Sequence, residues 1–308
     1  MSMASEQVMN PHLLMALLNE TSGWTPEMIG ELFQSSSLLD QGSRTLEGRY
    51  FNTLERKGPL GRKIRKSMEG LNIPEAERKL QMMELGGVSV ISYFDDEYPL
   101  SLKNISGPPL IIFHSGTLFD MNNCVAISGT RHPDPGIEDI TRTLAKILSR
   151  NGYTISSGLA MGVDTFAHEG TLDTEMGTTI GVIPSGLDNV VPRSNENLAV
   201  RISERGAILS ERFLRSKPAK YDFIKRNRII SGISLCQVII QSRGKGGTQH
   251  QFNIAKKQGK NIFVYTGKIL SQESRKNASR LLSNGAIGFD DPEYLPDLIK
   301  EGNSNIIY

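Results

Sequence analysis

Short apolar runs alternate with helically spaced apolar positions along the middle of this 308-residue chain. The run over 125–128 stops at a glycine turn, and apolar residues spaced about 3.6 apart follow over 137–150. A second run over 153–156 stops at another glycine turn, and a further helical pattern begins near Asp164. Strand, glycine turn and helix in repeated order are typical of a parallel sheet with crossover helices.

The alternation of strands and helices continues to about residue 290, with helices indicated over 198–205 and 248–258. Further strand candidates are 88–92, 110–113, 179–183, 207–210, 238–241 and 261–265. We therefore predict an α/β fold with a Rossmann-like, doubly wound and mostly parallel sheet. Such a sheet binds ligands beyond the carboxyl ends of its strands.

The first 85 residues have a helical pattern of their own. Amphipathic stripes fall over 13–18 and 28–33, and a third helix over 75–85 ends at a pair of glycines. We therefore predict a small helical N-terminal domain over 1–85 and a Rossmann-like domain over 86–308. The proline- and glycine-containing stretch between the first two strand candidates is interpreted as the transition between them.

Composition narrows the class of protein only slightly. The formal net charge of +2 is too small to indicate a polyanionic partner by itself. The two cysteines, Cys124 and Cys236, lie next to predicted strands and lack a disulfide framework, which is typical of reduced core residues. The apolar run over 13–18 is too short for a secretory signal, and no stretch is long enough to span a membrane. We expect a cytoplasmic protein without membrane contact.

Three glycine turns follow predicted strands, over 129–131, 157–162 and 244–248. Glycine lets the backbone approach a ligand closely, and the N-terminus of the following helix attracts anions. Tight turns also need glycine for structural reasons, but three turns at one sheet edge favour phosphate binding. The residues predicted for it are Gly129, Thr130, Arg131, Ser157, Gly158, Lys245, Gly247 and Thr248. Neither a dinucleotide fingerprint nor a P-loop is present, so no cofactor is predicted.

The segment 201–228 contains nine basic and three acidic residues, which leaves a net charge of +6. Tyr221 and Phe223 are interleaved with the basic residues, a pattern that suits single-stranded nucleic acid because bases stack on aromatic rings. A solvated loop whose Phe223 fills the core is an equal alternative. The shorter stretch 56–66 has six basic residues and is either a solvated loop or an auxiliary phosphate-contacting patch.

Asp164 and His168 are four residues apart, so a regular helix would bring them to one face. An acid–base pair or a metal site is conceivable. However, the sequence offers no third ligand and no nucleophile, and Asp164 is better interpreted as a helix cap. We predict neither a catalytic residue nor a metal site.

Several motifs occur in an order that resembles the DNA-processing protein A family, also called DprA or Smf. They are Val125–Arg131, Ser157–His168, Gly186–Asp188, Ser210–Glu211 and Phe223–Ser234. The resemblance covers about residues 88–290. It implies a cytosolic, non-enzymatic protein that binds single-stranded DNA, forms homodimers through its Rossmann-like domain and helps load the RecA recombinase during natural transformation.

The resemblance also implies a DNA pocket. By their positions in the motifs, Arg131, Lys220 and Phe223 are expected to contact DNA, with Arg226, Asn227 and Arg228 alongside. Two of these, Arg131 and Phe223, are also indicated by the glycine turn and by the aromatic residue within the basic segment.

The chain departs from the usual family pattern at several positions. Met161 replaces an arginine, Gln241 replaces a glutamate at the end of the fifth strand, and the third turn has an uncommon form. The chain also ends soon after the Rossmann-like domain, so we expect no winged-helix domain of the kind that many members carry. A specialised paralogue is one explanation.

Two alternatives use the same fold. The LOG-type phosphoribohydrolases resemble it and carry a Pro-Gly-Gly-x-Gly-Thr-x-x-Glu motif; here Thr248 is followed three residues later by Gln251, so the catalytic carboxylate is missing. The other alternative is a sensor that binds a small nucleotide in the pocket and signals through the N-terminal helices.

Overall fold

A computed structural model describes residues 11–21, 72–118, 121–244 and 246–304, together with eight isolated positions between 24 and 66. Apart from Met28, the predicted stripe over 28–33 therefore lies outside the described residues, as does most of the basic stretch 56–66. Lys245, one of the predicted phosphate-contacting residues, also lies outside them.

The described residues form one nine-stranded sheet, in the order β1-β2-β6-β5-β4-β3-β7-β8-β9. The strands are β1 (Ser89–Ser92), β2 (Ile111–Gly116), β3 (Cys124–Ser128), β4 (Thr154–Ser157), β5 (Thr179–Val182), β6 (Ala207–Ser210), β7 (Cys236–Ile239), β8 (Asn261–Tyr265) and β9 (Ile287–Phe289). From β6 to β9 along the sheet every pairing is parallel, whereas β1–β2 and β2–β6 are antiparallel. The mostly parallel α/β prediction is confirmed.

Helices connect the strands and cover the sheet. They are α1 (Pro11–Glu20), α2 (Ile73–Leu85), α3 (Leu100–Lys103), α4 (Ile137–Arg150), α5 (Val163–Leu172), α6 (Glu196–Arg205), α7 (Lys220–Gly232), α8 (Gly247–Lys257), α9 (Gln272–Leu282) and α10 (Leu295–Ser304). None of the helices in the described part of the chain is long and apolar enough to cross a bilayer.

Strand β3, in the interior of the sheet, is buried on both faces. Val125 and Ile127 pack in one cluster with Leu144 of α4. Cys124 and Ala126 pack in another cluster, which includes Ile230 of α7. Successive side chains of a strand point to opposite faces, so the continuous apolar run of β3 requires a helix layer on each side.

The helix α1 packs against the same structure. Its buried leucines share a hydrophobic cluster with Phe113 of β2 and with Phe213, which follows β6. The side-chain amide of Asn19 donates to the carbonyl of Glu211 at 2.9 Å. The division into domains over 1–85 and 86–308 stays a prediction.

Three local expectations differ from the structure. The region of the first two strand candidates, interpreted as a transition between domains, is part of the sheet, because β1 and β2 extend it as antiparallel strands. The strand expected over 238–241 is Cys236–Ile239, because its neighbour β3 ends at Ser128, which pairs with Ile239. Helix α5 begins at Val163 after Gly162, so Asp164 is inside its first turn and is not its cap.

Candidate nucleic-acid interface

A cavity of about 550 Å³ lies at the carboxyl ends of β4, β3 and β7. The chain order reverses here, since β4 to β6 follow on one side of β3 and β7 to β9 on the other. Open α/β sheets bind ligands at such reversals, in cavities of roughly 300–1,000 Å³. Ten of the predicted residues line it: Gly129, Thr130, Arg131, Gly158, Lys220, Phe223, Arg226, Asn227, Gly247 and Thr248.

Two cations and an aromatic ring form one wall of the cavity. Arg131 follows β3 and is exposed, and its Cζ lies 5.6 Å from the centroid of the Phe223 ring. Lys220 is the first residue of α7 and is also exposed. The helix begins there because the carboxylate of Asp222 accepts the backbone N–H of Ala219 at 2.7 Å. This wall offers positive charge for a phosphate and a flat apolar face for a base.

Arg226 is buried and holds the second glycine turn. Its Nη1 donates to the carbonyls of Gly158, at 2.7 Å, and Val182. Burial lowers the pKa of Arg226 to about 10, although the nearby Asp164 carboxylate opposes this. Asp164 accepts the backbone N–H groups of Gly158 at 3.1 Å and Ala160 at 3.4 Å. Burial raises the pKa of Asp164, while Arg226 and these hydrogen bonds lower it. The Arg226 guanidinium is therefore committed mainly to the turn.

The glycines of the turns serve different purposes. A Cβ at Gly129 would lie 2.5 Å from Cγ2 of Val163, so this glycine allows α5 to approach β3. In contrast, among the described residues no atom outside the chain neighbours lies within 4 Å of a Cβ position at Gly246 or Gly247, at the start of α8. These two glycines and Thr248 leave the N-terminus of α8 open to the cavity, where it favours an anion.

Two predicted residues do not line the cavity. Ser157 is buried, and its hydroxyl donates to the carbonyl of Ile127 at 2.7 Å, which joins β4 to β3. Arg228 is directed to the acidic Glu211, with 2.6 Å between Nη2 and Oε2. Lys245 lies outside the described residues.

Much of the basic segment 201–228 is neutralised within the fold. Lys225 and Arg228 both pair with the buried Glu211. Arg212 pairs with Glu20 of α1 at 3.3 Å, and the Arg205 guanidinium donates to backbone carbonyls. Among the residues that the structure describes, no ion-pair partner is found for Lys220. Tyr221 is 69% exposed and does not line the cavity.

The prediction from sequence missed several residues of the cavity, of which Arg243 is the most informative. Arg243 is half exposed and follows β7, at the third glycine turn. The sequence does indicate Arg243, because this basic residue immediately precedes Gly244 of the third glycine turn. The prediction selected Lys245 from the same turn instead. His250 and Gln251 of α8 also line the cavity.

Asp164 and His168 lie in different environments. His168 is fully buried, and its Nδ1 lies 2.7 Å from Oγ1 of Thr179. The Thr179 hydroxyl donates its one proton to the carbonyl of Ile155, so it accepts from Nδ1–H. Burial lowers the pKa of His168 to about 3. Asp164 lines the cavity and His168 does not, so the two do not face a common ligand.

Gln251 occupies the position where the LOG-type motif has glutamate. Its side-chain amide donates to Oε1 of Gln237 at 2.8 Å and is buried. In the described part of the cavity wall, Asp164 is the single carboxylate, and it accepts two backbone N–H groups. The described cavity wall therefore offers hydrogen bonds and positive charge, and its carboxylate is already hydrogen-bonded to the backbone.

Fold and cavity together define a Rossmann-like protein with a cavity lined by basic residues at its topological reversal. The sequence model of the family described as DNA recombination-mediator protein A matches residues 89–299. The chain belongs to this family.

Individual relatives agree with this membership. The chain is 34% identical over 198 residues to the DNA processing protein DprA of Bacillus subtilis, covering 64% of this chain and 66% of that protein. Matches to curated relatives from Bacillus subtilis, Synechocystis and Escherichia coli span 49% to 66% of their length. The chain therefore corresponds to about half to two thirds of each of them.

Two solved structures are similar. The X-ray structure of DprA from Streptococcus pneumoniae has a TM-score of 0.75, covers 96% of this chain and 99% of its own, and is 24% identical, which supports the fold alone. DNA processing protein A from Helicobacter pylori has a TM-score of 0.62, is 29% identical and covers 71% of this chain and 97% of its own. That structure was described for its single-stranded DNA binding mode.

Proposed function

We propose that this protein binds single-stranded DNA in the cavity and acts as a recombination mediator. The observation that carries the proposal is the wall formed by Arg131, Lys220 and the ring of Phe223, beside the open N-terminus of α8. Backbone phosphates meet the cations and the helix N-terminus, and an unpaired base stacks on Phe223. The single-stranded DNA binding mode described for the Helicobacter pylori relative supports this proposal.

The cavity favours single strands over duplex for a geometric reason. Phe223 belongs to the wall of a concave site and is only partly exposed. A base can reach the ring only when it is unpaired and turned out of a stack, which costs a duplex roughly a few kcal/mol but costs a flexible strand little. Duplex DNA would meet only the exposed cations.

The wider role rests on family membership. We propose that the protein assists loading of the RecA recombinase during DNA uptake and natural transformation, acts as a homodimer and has no enzymatic activity of its own. The bonded amide of Gln251 and the committed carboxylate of Asp164 support the non-enzymatic assignment. The buried thiols of Cys124 and Cys236 are free, which fits a reducing compartment and a cytoplasmic location.

The first experiment is fluorescence anisotropy with a labelled, unstructured oligonucleotide of a few tens of nucleotides, at two salt concentrations. Tight, salt-sensitive binding that unlabelled duplex competes for poorly is expected. Absence of binding at low salt would overturn the DNA role. Thermal stabilisation by a mononucleotide but not by oligonucleotides would favour the nucleotide sensor instead, and release of free base from a nucleoside monophosphate would favour the enzyme.

A further inference from the structure

Arg243 is held at the cavity by contacts that leave part of its guanidinium available. Its Nη2 donates to the carbonyl of His132 at 2.8 Å and lies 3.5 Å from Oδ1 of Asp134. A guanidinium carries five N–H donors in a planar fork, and these contacts involve only one of its nitrogens. The side chain is 50% exposed and lines the same cavity as Arg131.

Asp134 is the centre of a hydrogen-bonded cluster that fixes the Arg243 contact. Its Oδ2 accepts the side-chain amide of Gln241, the hydroxyl of Ser274 at 3.1 Å and the N–H of Ser271 at 3.3 Å. The backbone N–H of Asp134 donates to Oε1 of Gln241 at 3.0 Å. Oδ1 is thereby turned towards Arg243.

Gln241 connects two of the three glycine turns. It is 2% exposed, and its carbonyl accepts the N–H of Thr130 at 3.0 Å. Its side chain bonds Asp134 with both the oxygen and the nitrogen of the amide. Gln241 therefore joins the loop that carries Arg131 to the turn that carries Arg243, in addition to the contacts that Arg243 makes itself.

We infer that Arg243 is a further phosphate-contacting residue of this cavity, and that Asp134 and Gln241 are positioning residues that hold it together with the Arg131 loop. The inference rests on the proposed binding of single-stranded DNA. An arginine suits the role better than a lysine, because one edge of its fork can remain on His132 and Asp134 while the other binds phosphate oxygens.

The hydrogen bonds between Asp134 and Gln241 require a carboxylate on one residue and an amide on the other. Oδ2 of Asp134 receives its hydrogen bonds from N–H and O–H donors, and Gln241 supplies one of them. The substitution Gln241→Glu would set a second carboxylate against Asp134, and like charges at this distance repel. Combining it with Asp134→Asn would restore one amide and one carboxylate, with the two groups exchanged.

The first test compares Arg243→Gln with Arg280→Gln, using the labelled single strand and a series of salt concentrations. Arg280 is exposed on α9 and does not line the cavity, so its variant is a matched control for loss of one surface charge. We expect Arg243→Gln to bind roughly fourfold more weakly at physiological salt and to reduce the salt slope by about 0.7, as for one lost phosphate contact. The control should match the wild-type protein.

Asp134→Asn shows whether Asp134 acts by orienting Arg243 or only by its charge, because the two roles predict opposite changes in DNA affinity. Removal of a negative charge beside a phosphate site should by itself tighten binding. Loss of the carboxylate that orients Arg243 should instead weaken it, with the salt slope of Arg243→Gln. We expect weaker binding, and no further loss when Asp134→Asn is combined with Arg243→Gln.

Gln241→Glu should also weaken binding. The double variant Asp134→Asn/Gln241→Glu should recover binding only to the level of Asp134→Asn alone, because the repulsion is removed but the carboxylate that orients Arg243 is still missing. Thermal unfolding of each variant shows whether it is folded, and the double variant and the exposed Arg243→Gln keep the test valid if Gln241→Glu is unstable. Wild-type affinity and slope in Arg243→Gln, or tighter binding in Asp134→Asn, would overturn the inference while leaving the DNA-binding proposal intact. A wild-type protein that binds no single-stranded DNA would overturn both.

Discussion

The guanidinium of Arg131 lies over the ring of Phe223, with Cζ 5.6 Å from the ring centroid. Arg131 comes from the turn after β3 and Phe223 from the first turn of α7, and both line the cavity. A cation over an aromatic face is attracted by the electrons of the ring. In the proposed function, this contact places a positive charge for a phosphate directly beside the ring on which a base would stack.

Phe223→Leu should weaken binding of single-stranded DNA by about 1–3 kcal/mol, because a leucine cannot stack with a base. The salt slope should remain that of the wild type, since no charge is lost. Anisotropy across a salt series measures both quantities. Tyr221→Leu is the matched control, because Tyr221 is 69% exposed on the same helix and does not line the cavity. Equal losses in the two variants would argue against stacking on Phe223.

Arg131→Gln should weaken binding and also make it less sensitive to salt, with the slope reduced by about 0.7 for one phosphate contact. The loss should be similar for oligonucleotides of different sequence, because a phosphate contact carries no base information. Arg150→Gln serves as the control, since Arg150 is exposed at the end of α4, before β4, and so at the opposite edge of the sheet. An unchanged salt slope in Arg131→Gln would show that Arg131 makes no phosphate contact.

Gly158→Ala should destabilise the fold, because the new Cβ would lie 2.5 Å from Nη2 of Arg226 and 2.7 Å from Oδ2 of Asp164. The guanidinium cannot withdraw easily, since Nη1 donates to two backbone carbonyls. Overpacking of this kind costs about 1–3 kcal/mol, measurable by chemical denaturation. Gly247→Ala is the contrasting variant: its Cβ position is open, so we expect stability to hold while binding at the cavity weakens. Equal stability of the two variants would contradict the packing assigned to Gly158.

The sheet could be predicted from sequence because its strands are continuous apolar runs bounded by glycine turns. Helix α9 was missed for the complementary reason: of its eleven residues only Ser274, Ala278 and Leu281 are buried, which is too weak an apolar stripe to recognise. The antiparallel addition of β2 to β6 was also missed, since this pairing joins residues nearly a hundred positions apart.

The candidate site was predicted in its location but only partly in its chemistry. Glycine turns after adjacent strands converge by topology, so their meeting at one edge follows from the sequence. The contacts that each side chain makes do not follow from the sequence, because their partners are distant along the chain. Arg226 is bound to backbone carbonyls, and Arg228 to Glu211. Gln241, which departs from the family pattern in sequence, has a partner in Asp134 that only the fold reveals.

Glu211→Gln should lower the stability of the folded protein near neutral pH by about 1.5–3 kcal/mol, the range for hydrogen bonds to charged groups. Burial alone would raise the pKa of Glu211, but Arg228 and Lys225 beside it lower it below the ordinary value of 4.5. A carboxyl group whose pKa is lowered on folding stabilises the protein above its ordinary pKa, and this contribution is lost as pH falls through the folded pKa. The stability difference between the wild type and Glu211→Gln should therefore shrink below about pH 4.5. A difference that stays constant down to lower pH would show that the ion pairs contribute little.

His168 should remain neutral well below the pH at which an ordinary histidine is protonated. Burial lowers its pKa from 6.5 to about 3, and the charge of Arg226 adds to the effect. The unfolded chain takes up a proton at this residue below about pH 6.5 and the folded protein does not, so His168 reduces stability progressively as pH falls towards 3.

Titration of the histidine ring resonances, assigned with His168→Gln, measures the pKa directly. The same variant should lose stability less steeply with falling pH than the wild type does. A ring that titrates near 6.5, or one that shifts when Zn²⁺ is added, would contradict the buried neutral state and revive the acid–base or metal interpretation of Asp164 and His168.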